Sequence, residues 1–187
     1  MKLFDEYPVL SDGVVCLKAM TLDDADALGA FKNNERVYRY LPTFLYEQRY
    51  EDPCEVLQKM HDECFVTHES LMLGVYLAEN PETLVGIAEI YNYEEDRKKT
   101  SIGVRLDECV WGKGIATRIV RLLKDYLIGR VGIRIITSHV MVENTASAAV
   151  MRKSGFMLQD VDYHVLEDWG FKEPVIVDKF VFVAYGD

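Results

Sequence analysis

The stretch LDECVWGKGIAT, from Leu106 to Thr117, decides the fold of this chain. A strand-like apolar run ends where the stretch begins, two glycines spaced by one residue follow, and an amphipathic helical pattern starts directly after Gly114. Glycines let backbone N–H groups turn toward one point, and the N-terminus of a helix adds a positive dipole there. The stretch therefore favours a pyrophosphate-binding loop, to which Lys113 adds a positive charge. Taken alone it fits a plain strand-to-helix turn equally well, because neither G-x-x-x-x-G-K-[ST] nor G-x-G-x-x-G is complete.

A second segment, NTASAAVMRKSGF from Asn144 to Phe156, follows the next apolar run. Asn144 suits the N-cap of a helix and Gly155 its C-terminal cap, because an asparagine side chain accepts from first-turn N–H groups and glycine tolerates the left-handed conformation. Taken alone, this segment predicts an ordinary capped helix in which Ser147 has no special role.

Outward from these two segments, the sequence predicts a single α+β domain over residues 1–187, with a mixed sheet of about seven strands and flanking helices. β-rich runs bounded by turn residues mark the strands, and apolar positions at helical spacing mark the helices. No repeat, low-complexity segment or linker divides the chain, and residues 35–47 show no clear period. The predicted strands are 14–20, 71–78, 83–91, 100–106, 133–142, 156–166 and 174–184, and the predicted helices are 21–34, 52–65, 115–127 and 145–154.

The composition excludes several classes of function. The 187 residues carry a formal net charge of -10, so phosphate backbones and anionic membranes should repel the chain, and a cationic or neutral partner fits better. The four cysteines form no C-x-x-C motif and do not cluster with the four histidines, which favours reduced thiols over a disulfide scaffold or metal site. The N-terminal residues lack the continuous apolar core expected of a signal peptide, and no apolar run approaches the ~20 residues that span a bilayer. We expect a cytoplasmic protein with no metal, nucleic-acid or membrane partner.

The two segments together, in this order and spacing, resemble the GNAT superfamily of acetyl-CoA-dependent N-acetyltransferases. The run W-G-K-G-I-A followed by N-T-A-S-A-A-V-M-R-K-S-G-F is most similar to the branch that contains ribosomal-protein N-terminal acetyltransferases. The resemblance covers Val14 to Val183, because the order of predicted elements matches the family's from end to end. The residues IGV at 102–104 and VDKF at 177–180 are similar to that branch as well.

The resemblance implies that the chain takes acetyl-CoA as a cosubstrate and acetylates a primary amine, on a protein N-terminus or a small molecule. The pantetheine arm would lie in a splay between the strands around 100–106 and 133–142, where its amides would pair with edge backbone groups. The backbone at Leu106 would orient the acetyl carbonyl, and Asn144 and Ser147 would lie beside the thioester or the pantetheine. Backbone N–H groups would hold the pyrophosphate along Trp111, Gly112, Lys113, Gly114, Ile115, Ala116 and Thr117.

Three places depart from the family pattern, and all three concern charged or proton-transferring groups. Thr100 and Ser101 stand where many members place a glutamate base, and Met151 stands where many place a tyrosine acid. Arg118 replaces a glutamate that is usual in the branch. Cofactor binding does not depend on these positions, because it uses the backbone.

Acetyl transfer needs a base for the amine and an acid for the leaving thiolate. Ser147 is the candidate acid, because its hydroxyl can point at the sulfur. Glu89, on the predicted strand 83–91, is the candidate base, acting directly or through water, and the alternative interpretation is a solvent-facing carboxylate. His139 in mid-strand is typical of a satisfied buried histidine, and Cys109 has no histidine beside it in the segment.

The acceptor is less well defined than the cofactor. Tyr91 and Tyr93 suit either strand packing or an amine site. Two acidic loops would attract a cationic amine if they border the acceptor site, and are otherwise solvated; they contain Glu94, Glu95 and Asp96, and Glu167 and Asp168.

Two alternatives to an enzyme stay open. One is a catalytically weak acetyl-CoA-binding sensor or interaction module. The other is a nucleotide-binding or redox protein that uses the G-x-G turn, which the Asn-x-x-Ser helix start disfavours. For assembly we expect a monomer or a homodimer.

Overall fold

The computed structural model describes residues 2–160 and 164–185, which form one sheet with helices on both faces. The strands in this part of the chain are β1 (Leu10–Ser11), β2 (Val15–Lys18), β3 (Ser70–Leu77), β4 (Gly86–Glu94), β5 (Lys99–Leu106), β6 (Ile135–Met141), β7 (Met157–Leu158), β8 (Val165–Glu167) and β9 (Val175–Val183). The α-helices are α1 (Ala25–Lys32), α2 (Glu35–Tyr38), α3 (Pro53–Lys59), α4 (Ile115–Tyr126) and α5 (Thr145–Lys153).

The sheet runs in the order β1-β2-β3-β4-β5-β6-β9-β7, and β8 pairs with β9. All pairs are antiparallel except β5 with β6. The expected α+β class is confirmed, but the expected count of about seven strands is wrong, because nine are present in the described residues. The two-residue β1 lacks a sequence pattern, and the predicted strand 156–166 forms β7 and β8 on different parts of β9. Residues 161–163 of that prediction lie outside the described residues.

The parallel strands β5 and β6 diverge soon after they begin. Their pairing runs from Lys99 opposite Ile135 only as far as Ser101 opposite Thr137. At that last pair the Ser101 and Thr137 hydroxyls are 2.8 Å apart. Beyond it β5 continues to Leu106 and β6 to Met141 with no pairing between them. The predicted splay is therefore confirmed, and we call this opening the β5–β6 gap.

Apolar side chains on the two faces of the sheet make two cores. On one face α4 and α5 pack with a stripe that includes Ile119, Leu123 and Phe180, each fully buried. On the other face α1 and α3 pack over β3 and β4 through residues such as Leu28 and Val56. Each large apolar side chain buried in this way stabilises the fold by about 1.5–3 kcal/mol. The packing of α4 holds its N-terminus beside the end of β5.

Side chains cap the starts of α2, α3 and α5, and the helical segments differ in places from the predictions. The Asp52 carboxylate accepts from the Cys54 N–H at 2.9 Å, as expected for a cap before Pro53. The predicted helix over 52–65 changes to a π-helix at Met60–Phe65. The region without clear period contains α2 and a 3₁₀ turn at Tyr46–Gln48. Within the described residues, no helix has the length and apolar character needed to cross a membrane.

Candidate active site

The loop before α4 has the geometry expected of an anion-binding turn. Gly112 and Gly114 have φ angles of +70° and +77°, in the left-handed region that glycine adopts without strain. A Cβ at either position would meet nothing within 4 Å, so conformation and not crowding requires glycine here. Gly114 is the N-cap of α4, and no side chain caps the helix. The first N–H groups of α4 therefore lack intrahelical and side-chain partners and are available to an anion.

A groove of about 530 Å³ runs along the start of α4. Its charged lining has four cations and two carboxylates, although the whole chain is strongly acidic: Lys113, Arg118, Arg121, Lys153, Asp12 and Asp125. Arg118 Nη1 is 2.7 Å from Asp12 Oδ2. Burial opposes ionisation of Asp12, but the N–H of Val15 and the guanidinium of Arg118 outweigh it and lower its pKa to about 2. Arg118 is thus partly neutralised, and Lys113, Arg121 and Lys153 supply the positive field.

Backbone groups line both edges of the β5–β6 gap. The Asp107 N–H donates to Val85 at 2.9 Å, so the odd-numbered residues of β5 bond to β4. The even-numbered Val104 and Leu106 then turn their N–H and C=O groups toward the gap. On the other edge, the Val142 N–H donates to the Ile176 carbonyl, so the even-numbered residues of β6 bond to β9. The odd-numbered residues of β6 then turn their N–H and C=O groups toward the gap. An extended ligand that carries amides fits between two such edges.

One of these edge groups is already hydrogen-bonded to the indole of Trp111. Its Nε1–H donates to the Leu106 carbonyl at 2.7 Å, which ties the phosphate loop to the end of β5. The N–H of Leu106 is the group left facing the gap, and an N–H is what an acetyl carbonyl oxygen requires. The Arg36 guanidinium lies 5.9 Å from the Trp111 ring centroid and forms an ion pair with Glu108 at 2.5 Å.

Asn144 and Ser147 lie at the start of α5, directly beyond the end of β6. The Asn144 side chain accepts from the Ser147 N–H at 3.1 Å, so Asn144 is the N-cap of this helix. Ser147 is half-buried in the first turn. Met151, one turn further on, is 3% exposed and belongs to the apolar core. The position that holds a tyrosine in many relatives is therefore core here.

Thr100 and Ser101 are buried and engaged by their own strands. The Thr100 hydroxyl donates to the Tyr91 carbonyl at 2.9 Å, and the Ser101 hydroxyl bonds Thr137. Neither residue substitutes for a carboxylate.

Glu89 is neither solvent-facing nor unpaired. Its Oε2 accepts from Arg105 Nη1 at 2.8 Å, and Arg105 is buried. Arg105 also pairs with the fully buried Glu47, whose Oε1 accepts from the Tyr38 hydroxyl at 2.9 Å. Burial, followed by the charge of Glu47, raises the pKa of Tyr38 far above its usual range. This is a buried charge network, which fixes Glu89 in place.

The sequence interpretation missed a second network, centred on His139. His139 Nδ1 is 2.6 Å from Glu167 Oε1, and Trp169 Nε1 donates to the other oxygen of Glu167 at 2.8 Å. The loop after β8 is held in turn by the Thr43 N–H, which donates to the Trp169 carbonyl at 2.8 Å. The available signal was the position of His139 on a strand bordering the predicted splay.

Tyr91 lies within the electrostatic influence of both networks, and Gly103 lies beside it. Burial raises the pKa of Tyr91 above its usual range, and the nearby charges of Glu89 and then Glu167 raise it further. Gly103 is the register partner of Glu89, and a Cβ on Gly103 would meet only Tyr91, at 3.7 Å. A glycine inside a strand often marks a close approach by another group. The open position over Gly103 thus lies between an acidic residue and the β5–β6 gap.

The remaining predicted candidates lie outside this cluster. The Cys109 thiol is exposed, and a hydrogen bond with Asp107 followed by partial burial raises its pKa, which is the opposite of an activated nucleophile. The acidic turn at 94–96 is at the far end of β5 from the phosphate loop. Lys2 pairs with Glu95, and Lys99 with Glu94. Across residues 2–160 and 164–185, no three His, Cys, Asp or Glu side chains gather as a metal-binding group.

Comparison with known proteins identifies what this architecture is similar to. The family model described as the acetyltransferase (GNAT) domain matches residues 15–157. The chain is 22% identical to the uncharacterised N-acetyltransferase p20 of Bacillus licheniformis over 168 residues, 89% of each protein. It is 33% identical to YjcK of Bacillus subtilis, named as a probable N-acetyltransferase, over 89 residues, which are 47% of this chain and 49% of YjcK.

Solved structures share the fold at low identity. Spermidine N-acetyltransferase from Vibrio cholerae, in complex with CoA and spermine, superposes with a TM-score of 0.74 at 18% identity, covering 92% of this chain and 96% of that one. A Vibrio cholerae structure provisionally assigned as a ribosomal-protein-serine acetyltransferase gives a TM-score of 0.75 at 18% identity, with coverage of 98% and 100%.

Proposed function

Because this chain belongs to the GNAT acetyltransferase family, whose members are acetyl-CoA-dependent acyltransferases, we propose that it transfers the acetyl group of acetyl-CoA to a primary amine by direct attack in a ternary complex. The observation that carries the proposal is the β5–β6 gap. It has an anion-binding loop at one end and an acidic, aromatic cluster on the face of the sheet that carries α1 and α3.

The cofactor half of the proposal uses mainly backbone. The N–H groups from Trp111 to Thr117 would hold the pyrophosphate, and Lys113 would add charge. The N–H of Leu106 would bind the acetyl oxygen, and Asn144 and Ser147 would lie near the thioester or the pantetheine. When bound, acetyl-CoA supplies an activated acetyl group. The protein's part is to orient that group and to stabilise the negative charge that develops on its oxygen.

The acceptor half favours a cationic amine. The carboxylates of Glu89 and Glu167 are near enough to Tyr91 for their charges to raise its pKa, and a protonated amine is attracted to such a site. Tyr91 and the buried Trp169 provide aromatic surface on which an ammonium group is stabilised. A polyamine is a reasonable first acceptor to try, since the Vibrio cholerae spermidine N-acetyltransferase shares this fold. A peptide with a free N-terminus is the second.

The test is thiol release from acetyl-CoA with a panel of amines: polyamines, aminoglycosides, amino acids and peptides with free N-termini. Titrations of acetyl-CoA and of ATP by calorimetry accompany the panel. We expect acetyl-CoA binding and amine-dependent thiol release. Binding of ATP without binding of acetyl-CoA would contradict the proposal and favour a nucleotide-binding protein.

A second candidate function is a catalytically weak acetyl-CoA sensor. It is favoured by the core position of Met151 and the buried hydroxyls of Thr100 and Ser101, where many relatives have proton-transfer groups. Tight acetyl-CoA binding with no thiol release for any amine would support the sensor over the enzyme.

A further inference from the structure

We propose that His139, held by Glu167, is the proton acceptor for the attacking amine. The inference rests on the proposed function and adds the base that the family-like positions of this chain do not supply. Neither Thr100 nor Ser101 has a basic group to offer, and Glu89 is engaged by Arg105.

The position of His139 follows from the strand register. The last β5–β6 pair is Ser101 with Thr137. Two residues further along each strand stand Gly103 and His139, which therefore face each other across the beginning of the gap. Ser101 and Thr137 bond through their side chains, so those side chains share one face of the sheet. Because side chains alternate along a strand, His139 and the open position over Gly103 are on that same face.

The hydrogen bonds of Glu167 fix the tautomer of the histidine. A carboxylate oxygen only accepts, and its distance of 2.6 Å from His139 Nδ1 makes Nδ1 the protonated nitrogen. The lone pair of the neutral ring is then on Nε2. Trp169 donates to the second Glu167 oxygen, which holds the carboxylate in this orientation. This is the arrangement of a base oriented by a third group, and Glu167 also stabilises the imidazolium that forms.

His139 Nε2 first takes one proton from the bound ammonium, which frees the lone pair of the amine. The amine nitrogen then attacks the thioester carbonyl carbon, the new C–N bond forms, and the C–S bond breaks. The CoA sulfur leaves as a thiolate and takes the proton of the Ser147 hydroxyl, the acid proposed above. Ser147 recovers a proton from the acetylated nitrogen, which loses its second proton in this way. The products are the N-acetyl amine and CoA, and no oxidant or further reactant is needed.

Other charged and titratable groups lie on the same face of the sheet as His139. Lys179 is its register partner on β9, and by the register of β4 and β5 the same face carries Tyr91, Glu89 and Arg105. Glu89 is the competing acceptor. It differs from His139 because one of its oxygens is already committed to a buried guanidinium.

The test compares His139→Asn with wild type, using the most active amine of the panel across a pH range from about 6 to about 10. We expect kcat/KM at neutral pH to fall by about 10²–10⁴-fold, while the Kd for acetyl-CoA stays unchanged. The loss should shrink as pH rises, because the free amine then forms without help. A merely structural role of His139 would lower the rate equally at every pH.

The controls separate the possible causes. His164→Asn removes the other histidine–carboxylate pair, at 2.7 Å from Asp178, and should leave the rate and its pH dependence unchanged. Glu167→Gln keeps the size of the side chain and removes its charge. It should shift the pH profile in the same direction as His139→Asn, and it carries the test if His139→Asn does not fold. Glu89→Gln removes a carboxylate of the proposed acceptor site and should raise the KM for the amine, with the shape of the pH profile of kcat as in wild type.

The outcomes are distinguishable. An active wild type with His139→Asn within a factor of about three of it overturns the base assignment and leaves the proposed function intact. If the pH profile changes in Glu89→Gln and not in His139→Asn, Glu89 and not His139 is the base. If the wild-type protein binds acetyl-CoA but releases no thiol with any amine, both the proposed function and the assignment of His139 as the base are contradicted.

Discussion

Among single residues, Ser147 is the one whose role can be separated most cleanly by kinetics. If its hydroxyl protonates the leaving thiolate, Ser147→Ala should lower kcat by about 10²–10⁴-fold with the Kd for acetyl-CoA nearly unchanged. Stopped assays at saturating acetyl-CoA and calorimetry measure the two quantities. Thr145→Ala is the matched control, because Thr145 is exposed in the same helical turn. A weaker Kd with an unchanged kcat would instead make Ser147 a cofactor-binding residue.

Gly114 offers a test of the phosphate loop. Asparagine and aspartate both tolerate the left-handed conformation that Gly114 adopts, and they differ in charge but hardly in size. Repulsion between an aspartate and a pyrophosphate ~4 Å away is about 4 kcal/mol at an effective dielectric constant near 20. Gly114→Asp should therefore weaken acetyl-CoA binding by up to about 10³-fold relative to Gly114→Asn. Equal affinities in calorimetry, with both variants folded, would place the pyrophosphate elsewhere.

The residues that sequence reasoning found and missed differ in how local their signals are. The glycines before α4 and the Asn144 cap can be recognised from a few neighbouring residues of the sequence, because backbone conformation is set locally. The pairing of His139 with Glu167 spans 28 residues and exists only once β6, β8 and β9 have assembled. The ion pair of Arg105 with Glu47 spans 58 residues and has the same character.

At the scale of elements, the packing of the π-helix Met60–Phe65 should respond to alkali. Tyr7 stacks on Phe65 with centroids 4.1 Å apart, and Cys64 is buried beside them. Burial raises the pKa of Tyr7 from 10.0 to about 12, and that of Cys64 from 9.0 to about 12. The unfolded chain loses these protons at lower pH than the folded chain. Stability is therefore fully present below pH 9.0 and declines as pH rises toward about 12.

Urea denaturation at a series of alkaline pH values measures this decline. Cys64→Ala should show a smaller loss of stability than wild type between pH 9.0 and 10.0, where the Cys64 thiol ionises ahead of the Tyr7 hydroxyl in the unfolded state. Cys54→Ala, at an exposed thiol, should keep the wild-type slope. Identical slopes for all three proteins would contradict the prediction.

The elements that were predictable are the long ones. The helix α4 has twelve residues with a continuous apolar stripe, and its pattern predicts both its limits and its buried face. The strands β1, β7 and β8 have two or three residues each, too few for a period, and they exist because β2 and β9 offer them partners. The change from α-helix to π-helix after Lys59 likewise follows no local pattern in the sequence.

At the scale of the whole molecule, charge is distributed unevenly. The net charge is -10, yet the groove along α4 contains Lys113, Arg118, Arg121 and Lys153. Arg121→Ala should weaken acetyl-CoA binding by roughly 2–5-fold, as expected for one exposed cation facing an anionic ligand. Its Kd should also depend less on salt than the wild-type Kd between about 50 mM and about 300 mM.

Arg97→Ala is the control for this effect, because Arg97 is exposed at the β4–β5 turn and pairs with Glu94. It changes the net charge by the same amount outside the groove. If Arg97→Ala and Arg121→Ala alter acetyl-CoA affinity equally, the overall field and not the groove governs binding.

The two tryptophans of the chain divide the site between them. Trp111, 43% exposed, is bonded to the Leu106 carbonyl beside the proposed cofactor site, and Trp169, 7% exposed, is bonded to Glu167 beside the proposed acceptor site. Each should therefore report on one half of the proposed reaction by its fluorescence. In a Trp169→Phe variant, emission would come from Trp111 alone and would follow cofactor arrival without any label. In the reciprocal Trp111→Phe variant, emission from Trp169 would respond to the binding of the acceptor. Comparing the two variants would give the order in which the two substrates bind, before any product forms.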